Sequence, residues 1–187
     1  MKELCHTNPS RAILRDMPDD LFVSFVDMPS VSDEGYIERK VNRKLGDLRK
    51  GSYTYFAEGD VIIAKITPCM ENGKCGIATD LTNSIGMGSS EFHVFRPNNE
   101  ILGRFLLGYL NRDSIRQEAA RHMTGSSGHR RVPIEFYEDM EIPVPTIETQ
   151  KKIVKQIEEY EHVIANAKEV MAACEIRKSD IIMKNII

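Results

Sequence analysis

The chain has 187 residues, 41 % hydrophobic and 28 % charged, with a formal net charge of −3. That length accommodates one well-packed domain with an appended element, and the composition is that of an ordinary globular protein. The total charge is not that of a nucleic-acid binder taken as a whole, so any electrostatic function has to come from how the charge is distributed.

The first twenty residues mix Lys2, Glu3, Arg11, Arg15, Asp16, Asp19 and Asp20, which leaves no apolar signal-peptide core. No apolar run approaches the roughly 18 residues of a membrane span. Cys5, Cys69, Cys75 and Cys174 are too far apart for a C-x-x-C pair and read as free thiols. The expectation is a soluble cytoplasmic protein with no membrane partner.

Asn8-Pro9-Ser10 and Pro18-Asp19-Asp20 carry turn chemistry. Leu21-Phe22-Val23-Ser24-Phe25-Val26 is rich in β-formers and predicts a strand. Residues 31–45 are polar with Gly35 inside, which predicts a loop. Residues 39–50 then concentrate six cations (Arg39, Lys40, Arg43, Lys44, Arg49, Lys50) against Asp47 alone. Tyr53-Thr54-Tyr55-Phe56 and residues 60–67 predict two strands, the second apolar on both faces until Lys65. Pro68 stops it and Asn72-Gly73 marks a turn. Gly76-Ile77-Ala78-Thr79 predicts a returning strand, residues 85–90 (with Gly86 and Gly88) a glycine-rich bend, and residues 91–96 a further strand closed by Pro97.

Leu102, Phe105, Leu106, Tyr109, Leu110 and Ile115 recur at spacings of three and four, which predicts one or two amphipathic helices within residues 101–123. Residues 101–134 carry six arginines against Asp113 and Glu118, whereas residues 135–161 carry eight acids against three lysines. Such asymmetry suits one polyanion-facing surface and another face reserved for something else. Thr124-Gly125-Ser126-Ser127-Gly128-His129-Arg130-Arg131 has no apolar side chain. It is either a plain solvated loop or one whose glycines, hydroxyls and paired arginines take phosphate or a guanine edge. Ile142-Pro143-Val144-Pro145 is a stiff spacer, because each proline restricts itself and its predecessor.

From Thr146 onward the chain reads as helix. Ile153, Ile157, Tyr160, Ile164, Ala167, Met171 and Cys174 alternate at four and three, the signature of a helix that pairs with another. A helix docked on its own domain is the alternative. Strands at hairpin spacing followed by helices predict an α+β fold, with a twisted, mostly antiparallel sheet, a few helices and a long C-terminal coiled-coil-type helix. The boundaries fall at 1–145 and 146–187.

Catalytic patterns fail on inspection. The five histidines are scattered outside any metal-ligand spacing. Asp60 with Glu71-Asn72-Gly73-Lys74 resembles a metal-dependent nuclease pattern, but two residues forming a turn separate the second acid from the lysine, so strand alternation is lost. Gly86-Met87-Gly88 lacks the third glycine and the following helix of a nucleotide-binding loop.

Several stretches together resemble the specificity subunits of type I restriction–modification enzymes. They are Gly59-Asp60-Val61-Ile62-Ile63-Ala64-Lys65-Ile66-Thr67-Pro68-Cys69, Glu71-Asn72-Gly73-Lys74, Gly86-Met87-Gly88-Ser89-Ser90-Glu91-Phe92, Thr124-Gly125-Ser126-Ser127-Gly128, Arg131-Val132-Pro133, and Ile142-Pro143-Val144-Pro145 with Gln150 and Ile153-Val154. The resemblance implies a DNA target recognition domain followed by a spacer helix, without chemistry of its own. It implies double-stranded DNA, an adenine methyltransferase (modification) subunit and a restriction motor subunit as partners, with S-adenosylmethionine, ATP and Mg2+ held only by those partners. Thr149 stands where the family has glutamate, with Glu148 one residue earlier. Full subunits hold two recognition domains, so this chain is expected to be either a half-subunit that dimerises through its helix or a fragment. A recognition domain of a fused type II restriction–methylation enzyme and a protein-only interaction scaffold are the other readings.

On this basis a phosphate clamp is expected from Arg39, Lys40, Arg43 and Lys44 with Arg121, Arg130 and Arg131. Base readout is expected from loop 65–74 (Lys65, Asn72, Lys74) and loop 124–131 (Gly125, Ser126, Ser127, His129, Arg130, Arg131). Helix pairing is expected through Ile153, Ile157, Tyr160, Ile164, Ala167 and Met171.

Overall fold

The computed structural model describes residues 1–186. The chain divides into two compact units, one ending at Ile147 and the other beginning at Glu148. The first unit contains, in order, β1 (Cys5–Thr7), a 3₁₀ turn (Arg11–Leu14), β2 (Phe22–Val26), β3 (Val41–Lys44), α1 (Leu45–Arg49), β4 (Thr54–Ala57), β5 (Val61–Ala64), β6 (Cys75–Ile77), β7 (Ile85–Gly88), β8 (Phe92–Pro97), α2 (Gly103–Leu110), α3 (Asp113–Arg121) and α4 (Ile134–Glu138). The second unit is made of α5 (Ile147–Ile186), whose first residue closes the first unit.

Two four-stranded sheets organise the first unit, in the orders β1-β8-β5-β6 and β3-β2-β7-β4. The first is antiparallel throughout. The second contains one parallel pair, β2 with β7. This is the α+β arrangement that the hairpin spacing predicts.

Strand alternation explains how the layers meet. Val26 and Phe56 from the second sheet join Ile62, Phe92 and Val94 from the first in one buried cluster. The opposite face of the second sheet offers Val23, Tyr55, Ile85 and Met87, which Leu14 and the α1 residues Leu45 and Leu48 cover. Helix α2 packs on β5, β6 and β8. Tyr137 of α4 meets Phe95 edge-on at 5.4 Å and His93 at 5.9 Å.

Three sequence expectations need correction. Residues 41–44, expected in a loop, form edge strand β3, with all four residues exposed. Alternation is invisible there because neither face is buried, and the cations on this edge discourage pairing with another chain. The strand expected over residues 60–67 ends at Ala64. Residues 65–67 instead run beside residues 130–132, since Ile66 and Arg131 form an antiparallel bridge.

The third correction concerns residues 85–88, expected as a bend. They form β7, one of the two interior strands of the second sheet, buried along its length. The glycines that suggest a bend exist here for close approach. Phe56 lies opposite Gly86 across the β4–β7 ladder, and a Cβ on Gly86 would sit 2.0 Å from the Phe56 ring. Gly86→Ala is therefore expected to destabilise the domain by about 1–3 kcal/mol through overpacking, read as a lower urea midpoint; an unchanged midpoint would mean that the ring has room to move.

Helix α5 is 40 residues long, about 60 Å at 1.5 Å per residue. Ile187, the last residue of the predicted helical segment, lies outside the described residues. No helix among the described residues is long and apolar enough to cross a membrane.

Candidate nucleic-acid interface

Loop 124–131 is a closed hairpin. Thr124 and Arg131 exchange backbone hydrogen bonds of 3.0 and 2.8 Å, and the His129 N–H donates to the Ser126 carbonyl at 3.0 Å. Gly125 adopts φ 113°, and a Cβ there would lie 2.8 Å from the His129 carbonyl oxygen, so the turn requires glycine. Ser126, Ser127 and His129 are exposed at its tip.

This hairpin is strapped to the chain leaving β5. The Thr67 N–H donates to the Arg130 carbonyl at 3.0 Å and the Val132 N–H to the Lys65 carbonyl at 2.9 Å. The two loops expected to read bases, 65–74 and 124–131, are thus neighbours although about 60 residues separate them in sequence. Arg131 anchors the pair by donating to both carboxylate oxygens of Glu91 at 2.8 and 2.7 Å. Hydrogen bonding from that guanidinium, with its charge, holds Glu91 below the usual carboxylate range. The Lys65 N–H donates to the Glu91 carbonyl at 2.9 Å, and the Lys65 ammonium helps to lower the Glu91 carboxyl.

The basic strand β3 forms the other part. Its register sets Arg43 opposite Val23, on the face that carries Phe25. The Arg43 guanidinium lies over the Phe25 ring at 4.3 Å, and Phe25 meets Tyr53 edge-on at 5.1 Å. Tyr53, Thr54 and Lys65 line one hollow of about 280 Å³. A cation–aromatic strip therefore runs from Arg43 through Phe25 and Tyr53 to Lys65 and the hairpin. Polyanion recognition uses such alternation, with charge for phosphate and flat rings for sugars or bases.

The structure separates the expected site residues by what their side chains touch. Lys44, Lys65, Asn72, Ser126, Ser127 and His129 make no side-chain hydrogen bond or ion pair within the described residues. Others hold the scaffold while keeping their charge at the surface. Arg39 lies 3.5 Å from Asp27, Lys40 donates to the Thr79 carbonyl at 2.8 Å, and Lys74 donates to the Val31 carbonyl at 2.6 Å. Arg121 pairs with Glu118 at 2.6 Å, and Arg130 donates to the Ala120 carbonyl at the end of α3 at 2.9 Å. The sequence gives no site role to Phe25, Tyr53 or Glu91 individually. The aromatics count as β-formers in the sequence, and only the cross-strand register reveals that a guanidinium covers one of them.

Asp60, whose neighbourhood resembled a nuclease pattern, is 1 % exposed. It accepts two hydrogen bonds from Arg96, both 2.8 Å, and one from the Ala57 N–H at 2.7 Å. Those partners occupy the acceptors that a metal would use. Among the described residues no three His, Cys, Asp or Glu side chains gather as a metal site requires. All four cysteines are free, and burial pushes the Cys75 thiol up to about 12. On α5, Tyr160, Ile164, Ala167 and Met171 of the heptad stripe are exposed.

The specificity subunit of the type I restriction enzyme EcoAI from Escherichia coli is 42 % identical over 139 residues, covering 73 % of this chain and 23 % of that protein. The EcoEI specificity subunit from Escherichia coli is 36 % identical over 157 residues, covering 82 % of this chain and 26 % of that protein. The chain thus spans about a quarter of the length of these relatives. Among solved structures, the HsdS subunit from Thermoanaerobacter tengcongensis superposes with a TM-score of 0.71 at 20 % identity, over 91 % of this chain and 43 % of that one. A structure of type I R-M system assembly and conformational transition gives 0.65 at 15 % identity, over 94 % of this chain and 40 % of that one. Residues 2–173 match the type I restriction modification DNA specificity domain, and the chain belongs to that family.

Proposed function

We propose that the first unit recognises a short double-stranded DNA sequence and that α5 carries it at a set distance from a second recognition domain. The observation that supports this reading most directly is the junction at Lys65, where backbone hydrogen bonds join loops 65–74 and 124–131 at the end of a cation–aromatic strip. Arg39, Lys40, Arg43 and Lys44 with Arg121, Arg130 and Arg131 hold phosphates. Lys65, Asn72, Lys74, Gly125, Ser126, Ser127, His129, Arg130 and Arg131 face the base edges. Arg131, gripped by Glu91, contributes a guanidinium whose orientation is set before DNA arrives, which lowers the entropic cost of a bidentate contact.

In this reading the chain catalyses nothing. A DNA adenine methyltransferase subunit and a restriction motor subunit supply the chemistry, with S-adenosylmethionine, ATP and Mg2+ held by them, and the assembly works in the cytoplasm. The exposed Tyr160, Ile164, Ala167 and Met171 stripe, continued from Ile153 and Ile157, takes a second helix, which in a half-subunit comes from a second copy of this chain.

Selection from a randomised duplex library with the purified chain tests the reading. The expected result is enrichment of one short motif, with affinity falling steeply as salt rises. A library that stays evenly represented after selection would refute sequence recognition by this chain.

A further inference from the structure

The sequence marks Asn8-Pro9-Ser10 as a turn and assigns no function to Arg11 and Arg15. In the folded chain Arg11 forms the shared wall of two hollows. One, of about 310 Å³, is lined by Ser10, Arg11, Arg15 and Arg49 over an apolar floor that includes Leu14 and Met87. The other, of about 280 Å³, is lined by Arg11, Tyr53, Thr54 and Lys65 over Phe92. Among the described residues no carboxylate lines either one. A cationic rim over an apolar floor strengthens the pull on an anion, because the local dielectric is lower than that of water.

The donors are available for a ligand. Arg11 uses one Nη1 hydrogen bond of 2.7 Å, to the Gly51 carbonyl, which fixes its guanidinium and leaves most of its five N–H groups. Arg15 is exposed and makes no side-chain hydrogen bond or ion pair among the described residues. Ser10 Oγ accepts the Ala12 N–H at 3.2 Å, so its own hydrogen remains to be donated. Arg49 is held by Asp19 at 2.6 Å and by the Met17 carbonyl at 2.5 Å and contributes charge more than hydrogen bonds. The second hollow continues, through Tyr53 and Lys65, into the strip already described.

We infer that these two hollows are phosphodiester sites that hold neighbouring backbone phosphates of one DNA strand, with Arg11 between them. The inference rests on the DNA-recognition reading and extends it to a segment that contributes position and affinity rather than sequence choice. Arg11 bridges the two phosphates, Arg15 and Ser10 close one site, and Tyr53 with Thr54 closes the other.

The test measures binding of the full chain to a random-sequence duplex pool across a salt series. Each lost phosphate contact makes the slope of log K against log salt shallower by about 0.9. Arg11→Ala and Arg15→Ala are each expected to give that change, the double variant about twice it, and Arg11→Lys to keep most of the parental slope. Thermal melting of each variant checks that the fold is intact; Arg15→Ala removes no structural hydrogen bond and keeps the test decisive if Arg11→Ala unfolds. Parental slopes in both alanine variants, while the parent binds, would overturn the inference and leave the DNA reading standing. A parent that binds no duplex at any salt would overturn both. Stabilisation of the parent by inorganic phosphate alone, lost in Arg11→Ala with the duplex slope unchanged, would replace the inference with a free-anion site.

Discussion

Removing either member of the Asp60–Arg96 pair is expected to destabilise the domain severely, and the two removals should differ. Asp60 is 1 % exposed, whereas the Arg96 side chain remains 36 % exposed. Arg96→Ala therefore leaves a deeply set carboxylate with only the Ala57 N–H as partner. Asp60→Ala leaves a guanidinium that can turn outward and keep its place near the Tyr55 ring, 5.7 Å away. Breaking a buried ion pair costs about 3–5 kcal/mol; Arg96→Ala should fall near the top of that range and Asp60→Ala near the bottom. The double alanine variant should cost less than the sum of the two, because neither charge is then left alone. Urea unfolding of the three variants measures this. Costs below about 1 kcal/mol for both single variants would mean that the pair behaves as a solvated surface ion pair.

The same pair shows how far the sequence could be read. Asp60 was legible as the residue opening an apolar strand after Glu58-Gly59, but its partner lies 36 residues away on β8. Only the β5–β8 register brings Arg96 to it. Although each buries residues on both faces, strands β2, β4 and β8 were legible because short runs of β-branched and aromatic residues leave a mark in the sequence. Strands β3 and β7 left none. In β3 both faces meet solvent, and in β7 glycines stand where an aromatic ring from β4 supplies the packing. For the candidate site, the composition of loop 124–131 marked it as polyanion-facing, and its pairing with residues 65–67 is long-range backbone hydrogen bonding that no local pattern encodes. The arginines of residues 101–134 looked like one basic surface. Folding instead engages Arg116 with the Asn111 carbonyl at 2.7 Å and Arg121 with Glu118 at 2.6 Å, so a count of cations overstated what remains for a ligand.

Acid should loosen the candidate site through a residue that never touches it. His93 is 5 % exposed on β8. Its Nε2 donates to the Val132 carbonyl at 2.8 Å, immediately after the hairpin, and its Nδ1 lies 3.4 Å from the Asn8 amide nitrogen, which donates to it. That arrangement requires the neutral ring, because a protonated Nδ1 would turn a donor against the Asn8 donor. Burial is the main reason that His93 is pushed down from 6.5 to about 4; Lys65 acts in the same direction, and the Val132 hydrogen bond, Glu135 and Glu138 oppose it. A histidine whose folded value lies below its unfolded one binds protons more readily when unfolded. Its contribution is therefore complete above pH 6.5 and is lost as the pH falls toward about 4. The gap between those values corresponds to about 3 kcal/mol. Urea unfolding at pH 7 and at pH 4 is expected to differ by that order, and His93→Gln should flatten the profile across this window even though it lowers stability at pH 7. Below that window Glu91 and Asp27, both held under their ordinary range by hydrogen bonds from Arg131 and Ser30 respectively, take over the pH dependence with the same sign. An equally steep profile in His93→Gln between pH 4 and 6.5 would assign the acid sensitivity to another group. Because Val132 donates its own N–H to the Lys65 carbonyl, charging His93 strains the same strap that joins the two reading loops. Duplex affinity should then weaken on acidification before the domain unfolds, even though protonation makes the surface more cationic, which opposes the trend expected from charge alone.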